Sequence, residues 1–157
     1  MYLEKYNCYI NGDIDIMENL ENIIDIEFNK EDVNLMSPIV WAYIGDSIYE
    51  IYVRTYLVSI SKAKSGYLHK QCISYVKASS QAEILKNMME YLIDDEKEIV
   101  RRTRNSEVYS IPKHADINDY RYATAFEGLI GFLYLSKEYI RLNELLKLAI
   151  EIKNSLA

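Results

Sequence analysis

Asp46 and Glu127 are the residues best placed to do chemistry, because each is an isolated acid in one of the two most apolar stretches of the chain. Asp46 lies in Trp41–Val53, WAYIGDSIYEIYV; Glu127 lies in Tyr120–Leu135, YRYATAFEGLIGFLYL, whose only polar side chains from Ala123 onward are Thr124 and Glu127. A carboxylate in such surroundings is costly unless it is paired, hydrogen-bonded or bound to a metal. Gly45 precedes Asp46, and Gly128 and Gly131 follow Glu127, so both helices can approach another backbone closely. If the two helices cross, the acids meet. Facing carboxylates suit a hard divalent cation such as Mg²⁺, which prefers oxygen ligands, retains waters and can activate one against a phosphodiester. Structural ion pairs of the same acids with Arg54 or Arg121 are the alternative.

The elements that must position these acids follow from periodicity. In the first stretch Trp41, Ile44, Ile48, Ile51 and Tyr52 recur at steps of three and four, with Ala42, Asp46, Glu50 and Val53 as a second stripe, so Asp46 is expected to point from a core helix. Ser37-Pro38 supplies an N-cap hydroxyl and a first-turn proline, and the helix is expected to run to about Val58. A polar loop at 59–66 leads to two helices within 67–91, broken near Ser79-Ser80. Asp94, Asp95 and Glu96 open the next helix and Arg101, Arg102 and Arg104 close it, as the helix dipole favours. Residues 105–118 read as a long loop, after which Asp119 or a neighbour caps the Glu127 helix. A last helix from Lys137 to about Lys153 turns Ile140, Leu145, Leu148 and Ile152 inward. No stretch alternates as a strand, so the fold reads as all-α.

The 157 residues are most simply one domain, 33–157, preceded by an acidic extension, 1–32, with a short helix expected near 16–26. Cys8 and Cys72 are too few for a disulfide framework or a zinc cluster, no signal peptide opens the chain, and no apolar run approaches the roughly 20 residues of a membrane span; a cytoplasmic protein without membrane contact fits best. The net charge of −6 is uneven: residues 1–32 carry nine acids and two bases, while 54–121 holds twelve bases against nine acids. The acidic total therefore does not exclude a phosphate-rich partner.

Tyr43-Ile44-Gly45-Asp46 followed by Tyr49-Glu50 resembles the catalytic-helix motif of the ribonuclease III family, and Phe126-Glu127-Gly128-Leu129-Ile130-Gly131 resembles its second acidic motif. The finer resemblance is to the bacterial Mini-ribonuclease III family. Its patterns are similar to Ala42–Asp46, Leu68-His69-Lys70, Gln81-Ala82, Arg101–Asn105, Pro112-Lys113 and Tyr120–Thr124 here, in order and similarly spaced over about 33–153.

That resemblance implies an all-helical homodimeric endonuclease, a helical bundle, that cleaves double-stranded RNA with Mg²⁺ and matures the ends of large-subunit (23S) ribosomal RNA precursors, with an accessory ribosomal protein as a potential partner. It puts Asp46 and Glu127 in the catalytic, metal-binding positions. Full-length ribonuclease III has further acids one turn earlier, where this chain has Ala42 and Thr124, a reduction the Mini family shares. The resemblance also implies that RNA is held by the catalytic domain itself, with His69, Lys70, Arg101, Arg102, Arg104 and Lys113 as the candidates. The loop departs from the family: Ser106-Glu107-Val108-Tyr109-Ser110 stands where a Lys-Ser-Gly-like stretch is usual. Two other readings compete, an all-α nucleotide pyrophosphatase and a non-catalytic RNA-binding or ribosome-assembly module.

Overall fold

The computed structural model describes residues 26–107 and 116–156. Among these every regular element is helical: α1 (Lys30–Leu35), α2 (Pro38–Ile60), α3 (Ser65–Val76), α4 (Ala78–Met88), a 3-10 turn at Met89–Tyr91, α5 (Asp94–Arg104), α6 (Ile117–Leu135) and α7 (Tyr139–Ser155). The all-α expectation is met. The helix expected near 16–26, Cys8, Lys113 and most of the long loop lie outside the described residues.

The bundle is built around α6. Almost every residue from Ala123 to Leu135 is buried, and α2, α4, α5 and α7 all pack on it. A helix apolar on every side has to be enclosed, which is why it became the axis. Along α2 the partners run in the opposite sense: Trp41 meets Phe132 edge-to-face at 5.1 Å, and Tyr49 meets Phe126 at 4.8 Å. The two helices are therefore antiparallel, and Gly45 and Gly131 sit where their backbones come closest.

Several boundaries differ from the sequence expectation. Ser37 precedes α2 but makes no side-chain capping bond, leaving the first-turn proline as the start signal. The break between α3 and α4 falls at Lys77, whose backbone is extended, while Ser79 and Ser80 belong to the first turn of α4. Ser80 is buried there and its hydroxyl donates to the Ser74 carbonyl at 2.7 Å, clipping the end of α3 to the start of α4. Asp116 is the neighbour of Asp119 that caps α6, accepting from the Asp119 amide at 2.9 Å. In α7 the buried face is Leu142, Leu145, Leu146, Ala149, Ile150 and Ile152; Ile140 is 78% exposed and Leu148 only half-buried.

The end of the acidic stretch is docked on the bundle. Helix α1 spans 30–35, is capped by the Asn29 side chain and buries Val33, whose carbonyl accepts from the Trp41 indole at 2.9 Å. Lys30 pairs with Glu138 at 2.8 Å and Glu27 with Lys137 at 2.6 Å, exposed contacts that add little energy by themselves. Arg102 covers the junction, with its guanidinium 4.7 Å from the Trp41 ring centre and a bond to the Asn34 carbonyl at 3.3 Å.

Helix α5 has the acidic start and basic end expected of it, yet one of its acids is internal. Glu96 is buried, accepts from Arg141 at 2.7 and 3.0 Å, and accepts from the backbone N–H of Ile93 at 3.0 Å. Breaking a buried pair strands the surviving charge. Glu96→Ala is expected to cost about 2–4 kcal/mol in denaturant unfolding, below the full penalty because Arg141 can reach water. Tyr49 presents the opposite case: it is fully buried and its hydroxyl has no hydrogen-bond partner among the described residues. Tyr49→Phe is therefore expected to leave stability unchanged or raise it by about 1 kcal/mol; a loss above that size in the same measurement would show that the hydroxyl is satisfied.

Candidate active site

The close approach of α2 and α6 is set by two glycines that face each other's backbones. A Cβ on Gly45 would stand 1.8 Å from the Glu127 carbonyl oxygen, and one on Gly131 would stand 1.8 Å from that of Trp41. With the helices this close and antiparallel, the residue after Gly45 and the residue before Gly128 fall on the same side of the crossing. Asp46 and Glu127 are thereby brought near enough for the charge of Asp46 to act on Glu127.

Glu127 is mostly enclosed, and its carboxyl is pushed up to about 8, first by burial and then by Asp46, against a smaller lowering from the Gln81 carboxamide. Asp46 is also shifted upward, by desolvation and by the charge of Glu50. It sits at the rim rather than in the core: the residue is exposed, contrary to the sequence expectation, because the buried stripe of α2 runs through Trp41, Ala42, Gly45, Ile48, Tyr49, Tyr52 and Val53. Ile51, expected inside, is likewise exposed. One acid of the pair thus reaches solvent while the other backs it from inside.

The ion-pair alternative is not realised among the described residues. Arg54 spends its guanidinium on Glu50, one turn along α2, with its Nε at 2.8 Å, and neither Asp46 nor Glu127 has a basic partner there. Two desolvated carboxylates without a cation, each resisting ionisation, form a donor set that a divalent ion would complete. The donors are hard oxygens, as Mg²⁺ requires. Among the described residues no third acid, histidine or cysteine joins them. Ala42 is buried, and the Thr124 hydroxyl is turned to the Tyr120 carbonyl at 2.9 Å, so the positions one turn earlier add no ligand.

Gln81 is the polar neighbour that sequence reasoning passed over as a site residue. It was visible only as a Gln-Ala motif beside the apolar stripe of α4. Its side chain is 1% exposed, its amide nitrogen donates to the Val76 carbonyl at 2.9 Å, and its oxygen has no partner among the described residues.

The basic candidates are scattered. His69 and Lys70 are exposed on α3, and Arg101 is exposed but paired with Glu98 at 2.7 Å. Arg102 is occupied by Trp41 and Asn34, as described above. Arg104 donates to the Tyr122 hydroxyl at 3.2 Å and lies 5.5 Å from that ring's centre, with Lys86 5.0 Å from the same ring. Antiparallel packing of α4 on α6 puts this pair of cations beyond the carboxylates, toward the start of α6, since Gln81 meets Glu127 and Lys86 meets Tyr122. A groove of about 420 Å³, lined mainly by α1, α5 and α6, includes neither carboxylate.

Residues 40–138 match the family model described as the ribonuclease III domain. The chain is 44% identical to the Mini-ribonuclease 3 of Thermoanaerobacter sp. over 78% of its own length and 87% of that protein's. It is 44% identical to that of Clostridium tetani, covering 80% and 84%, and 41% identical to that of Staphylococcus aureus, covering 80% and 97%. A crystal structure of a protein from Fusobacterium nucleatum superimposes with a TM-score of 0.68 at 28% identity, covering 76% of this chain and 96% of that one. Paired carboxylates at a glycine-tight helix crossing stand inside the matched region, and the chain belongs to the ribonuclease III domain family, in its Mini-ribonuclease 3 branch, as an endoribonuclease of the ribonuclease III type.

Proposed function

We propose that the chain is a Mg²⁺-dependent endonuclease of double-stranded RNA in which Asp46 and Glu127 hold the cation and serve as the catalytic acids. The observation that carries this reading is the uncompensated carboxylate pair, one acid enclosed and one at the rim, with no cation of the protein's own among the described residues. A bound divalent ion would supply an activated water and neutralise charge on the scissile phosphate. The chain's own contribution is to hold two oxygens rigidly at one spot: the backbone contact at Gly45 and Gly131 fixes their separation, and burial of Glu127 keeps bulk water from one side. Two carboxylates support one tightly held ion per site; a second would rest on water and RNA phosphate.

A homodimer completes the reading. The outer face of α2 presents Val40, Tyr43, Ile51 and Val58, with Tyr43 77% and Val58 62% exposed, at helical spacing along one side. A second copy laid on that face covers it and sets two carboxylate pairs before two RNA strands. His69, Lys70, Arg101, Arg104 and Lys113 are proposed as phosphate and 2′-hydroxyl contacts, with Arg102 the least available because its contacts are internal. The proposed natural substrate is the precursor of large-subunit ribosomal RNA, with or without an accessory ribosomal protein. Residues 1–32 are proposed as an appendage to a catalytic domain at 33–157, and the cytoplasm as the site of action.

The pyrophosphatase alternative loses support from the absence of an acid cluster among the described residues. The deciding assay is incubation of the purified chain with duplex and single-stranded RNA, with Mg²⁺ or with chelator. Duplex cleavage in Mg²⁺ alone is the expected result, and a chain that binds duplex RNA but never cuts it would favour the assembly-module reading. Sedimentation at micromolar concentration should give about twice the 18.4 kDa chain mass, and a stable monomer would overturn the dimer.

A further inference from the structure

Buried polar atoms in folded proteins are almost always satisfied, so an orphan beside a charged site asks for a ligand. The Gln81 oxygen is such an atom. The side chain is enclosed between α4 and α6, and its rotation is fixed because the amide nitrogen is tied to the Val76 carbonyl at 2.9 Å, where α3 ends. The same carboxamide is near enough to the carboxyl group of Glu127 to act on it, favouring its ionised form. One turn before each acid no further oxygen is offered to the pair: Ala42 brings only a methyl, and the Thr124 hydroxyl is committed to its own helix.

We propose that Gln81 is a positioning residue of the cation site: anchored through its nitrogen to Val76, it braces the Glu127 carboxyl group and offers its free oxygen to the hydration shell of the divalent ion. The ion then has two carboxylate ligands from α2 and α6 and one outer acceptor from α4. This makes a three-helix site of what the isolated acids present as a two-helix one. A neutral acceptor adds no repulsion to a pair that already resists ionisation. The role rests on the reading of Asp46 and Glu127 as a divalent-cation site, and binding rather than cleavage is the measurement that separates the two.

Mn²⁺ titrated into the metal-free full-length chain, followed by electron paramagnetic resonance, is expected to bind with an affinity that Gln81→Met weakens by about ten- to a hundredfold, the usual effect of losing an outer-shell partner. Thermal melting in chelator reports any loss of folding from the broken Val76 bond separately. Gln81→Glu is the second variant: a third acid should lower the melting temperature in chelator and raise the gain on adding Mn²⁺ above that of the unaltered chain. Unchanged Mn²⁺ affinity in Gln81→Met, or a metal-induced gain in Gln81→Glu no larger than in the unaltered chain, would overturn the role. If methionine prevents folding, the glutamate variant decides alone. Failure of the unaltered chain to bind Mn²⁺ would remove the cation site itself and this role with it.

Discussion

Gly131→Ala is expected to destabilise the fold by about 3 kcal/mol or more. The added Cβ would stand 1.8 Å from the Trp41 carbonyl oxygen and 2.9 Å from the Gly45 nitrogen, and both obstacles are backbone. No side chain can swing aside, so α2 and α6 must separate along their whole contact, parting the Trp41–Phe132 and Tyr49–Phe126 ring pairs with them. Overpacking ordinarily costs about 1–3 kcal/mol; a clash that splits the central helix pair belongs at or beyond the top of that range, a large share of a domain's roughly 5–15 kcal/mol. Gly45→Ala meets the Glu127 carbonyl at the same 1.8 Å and should behave alike. Gly66→Ala is the control. It lies in the first turn of α3, where an added Cβ would meet nothing beyond its own stretch of helix within 4 Å, and the substitution should stabilise by up to about 1 kcal/mol. Urea unfolding of the three variants tests the contrast, and a Gly131→Ala protein as stable as the Gly66→Ala one would show that the helices do not cross as described.

Much of this arrangement was legible from residue types, because its determinants are local or compositional. The acids and arginines of 94–104 mark a helix by its dipole, and α5 occupies those residues. Asp46 and Glu127 stood out because an acid has no inexpensive place in an apolar helix, and the glycines beside them implied close packing. What escaped was phase and partnership. In α7 apolar residues lie at 140, 142, 145, 146, 148, 149, 150 and 152, enough to draw two overlapping stripes, and only the neighbouring α4 and α6 select the one through Leu142, Leu146 and Ala149. Asp46 was expected in the core, yet α2 turns its glycine inward and leaves the acid at the rim. The break at Lys77 depends on Ser80 reaching back to Ser74, and the importance of Gln81 on the helix packed across from it. These are tertiary facts without a local signature.

Asp46→Asn and Glu127→Gln are each expected to reduce Mg²⁺-dependent cleavage of duplex RNA by about a thousandfold or more, since losing an ion that contributes several kcal/mol to the transition state costs a factor of ten for each 1.4 kcal/mol. Their effects on stability should run the other way. The folded carboxyl of Glu127 is raised to about 8, above its ordinary 4.5, so it contributes stability that is fully present below the ordinary value and is lost as pH rises through about 8. Glutamine cannot ionise, so the metal-free Glu127→Gln protein should gain on the unaltered chain as pH rises from 5 to 9, by up to about 4 kcal/mol, at roughly 1.4 kcal/mol per unit of displacement. Mg²⁺ must displace the same proton, so its affinity for the unaltered chain should increase about tenfold per pH unit up to about 8. Asp46→Asn removes a negative neighbour and should shift that plateau to lower pH. Cleavage assays at saturating Mg²⁺, with chelated-protein melting at pH 5, 7 and 9, separate the two effects. A Glu127→Gln protein that is inactive and also less stable at pH 9 would make the residue a structural support rather than a cation ligand held against its own burial.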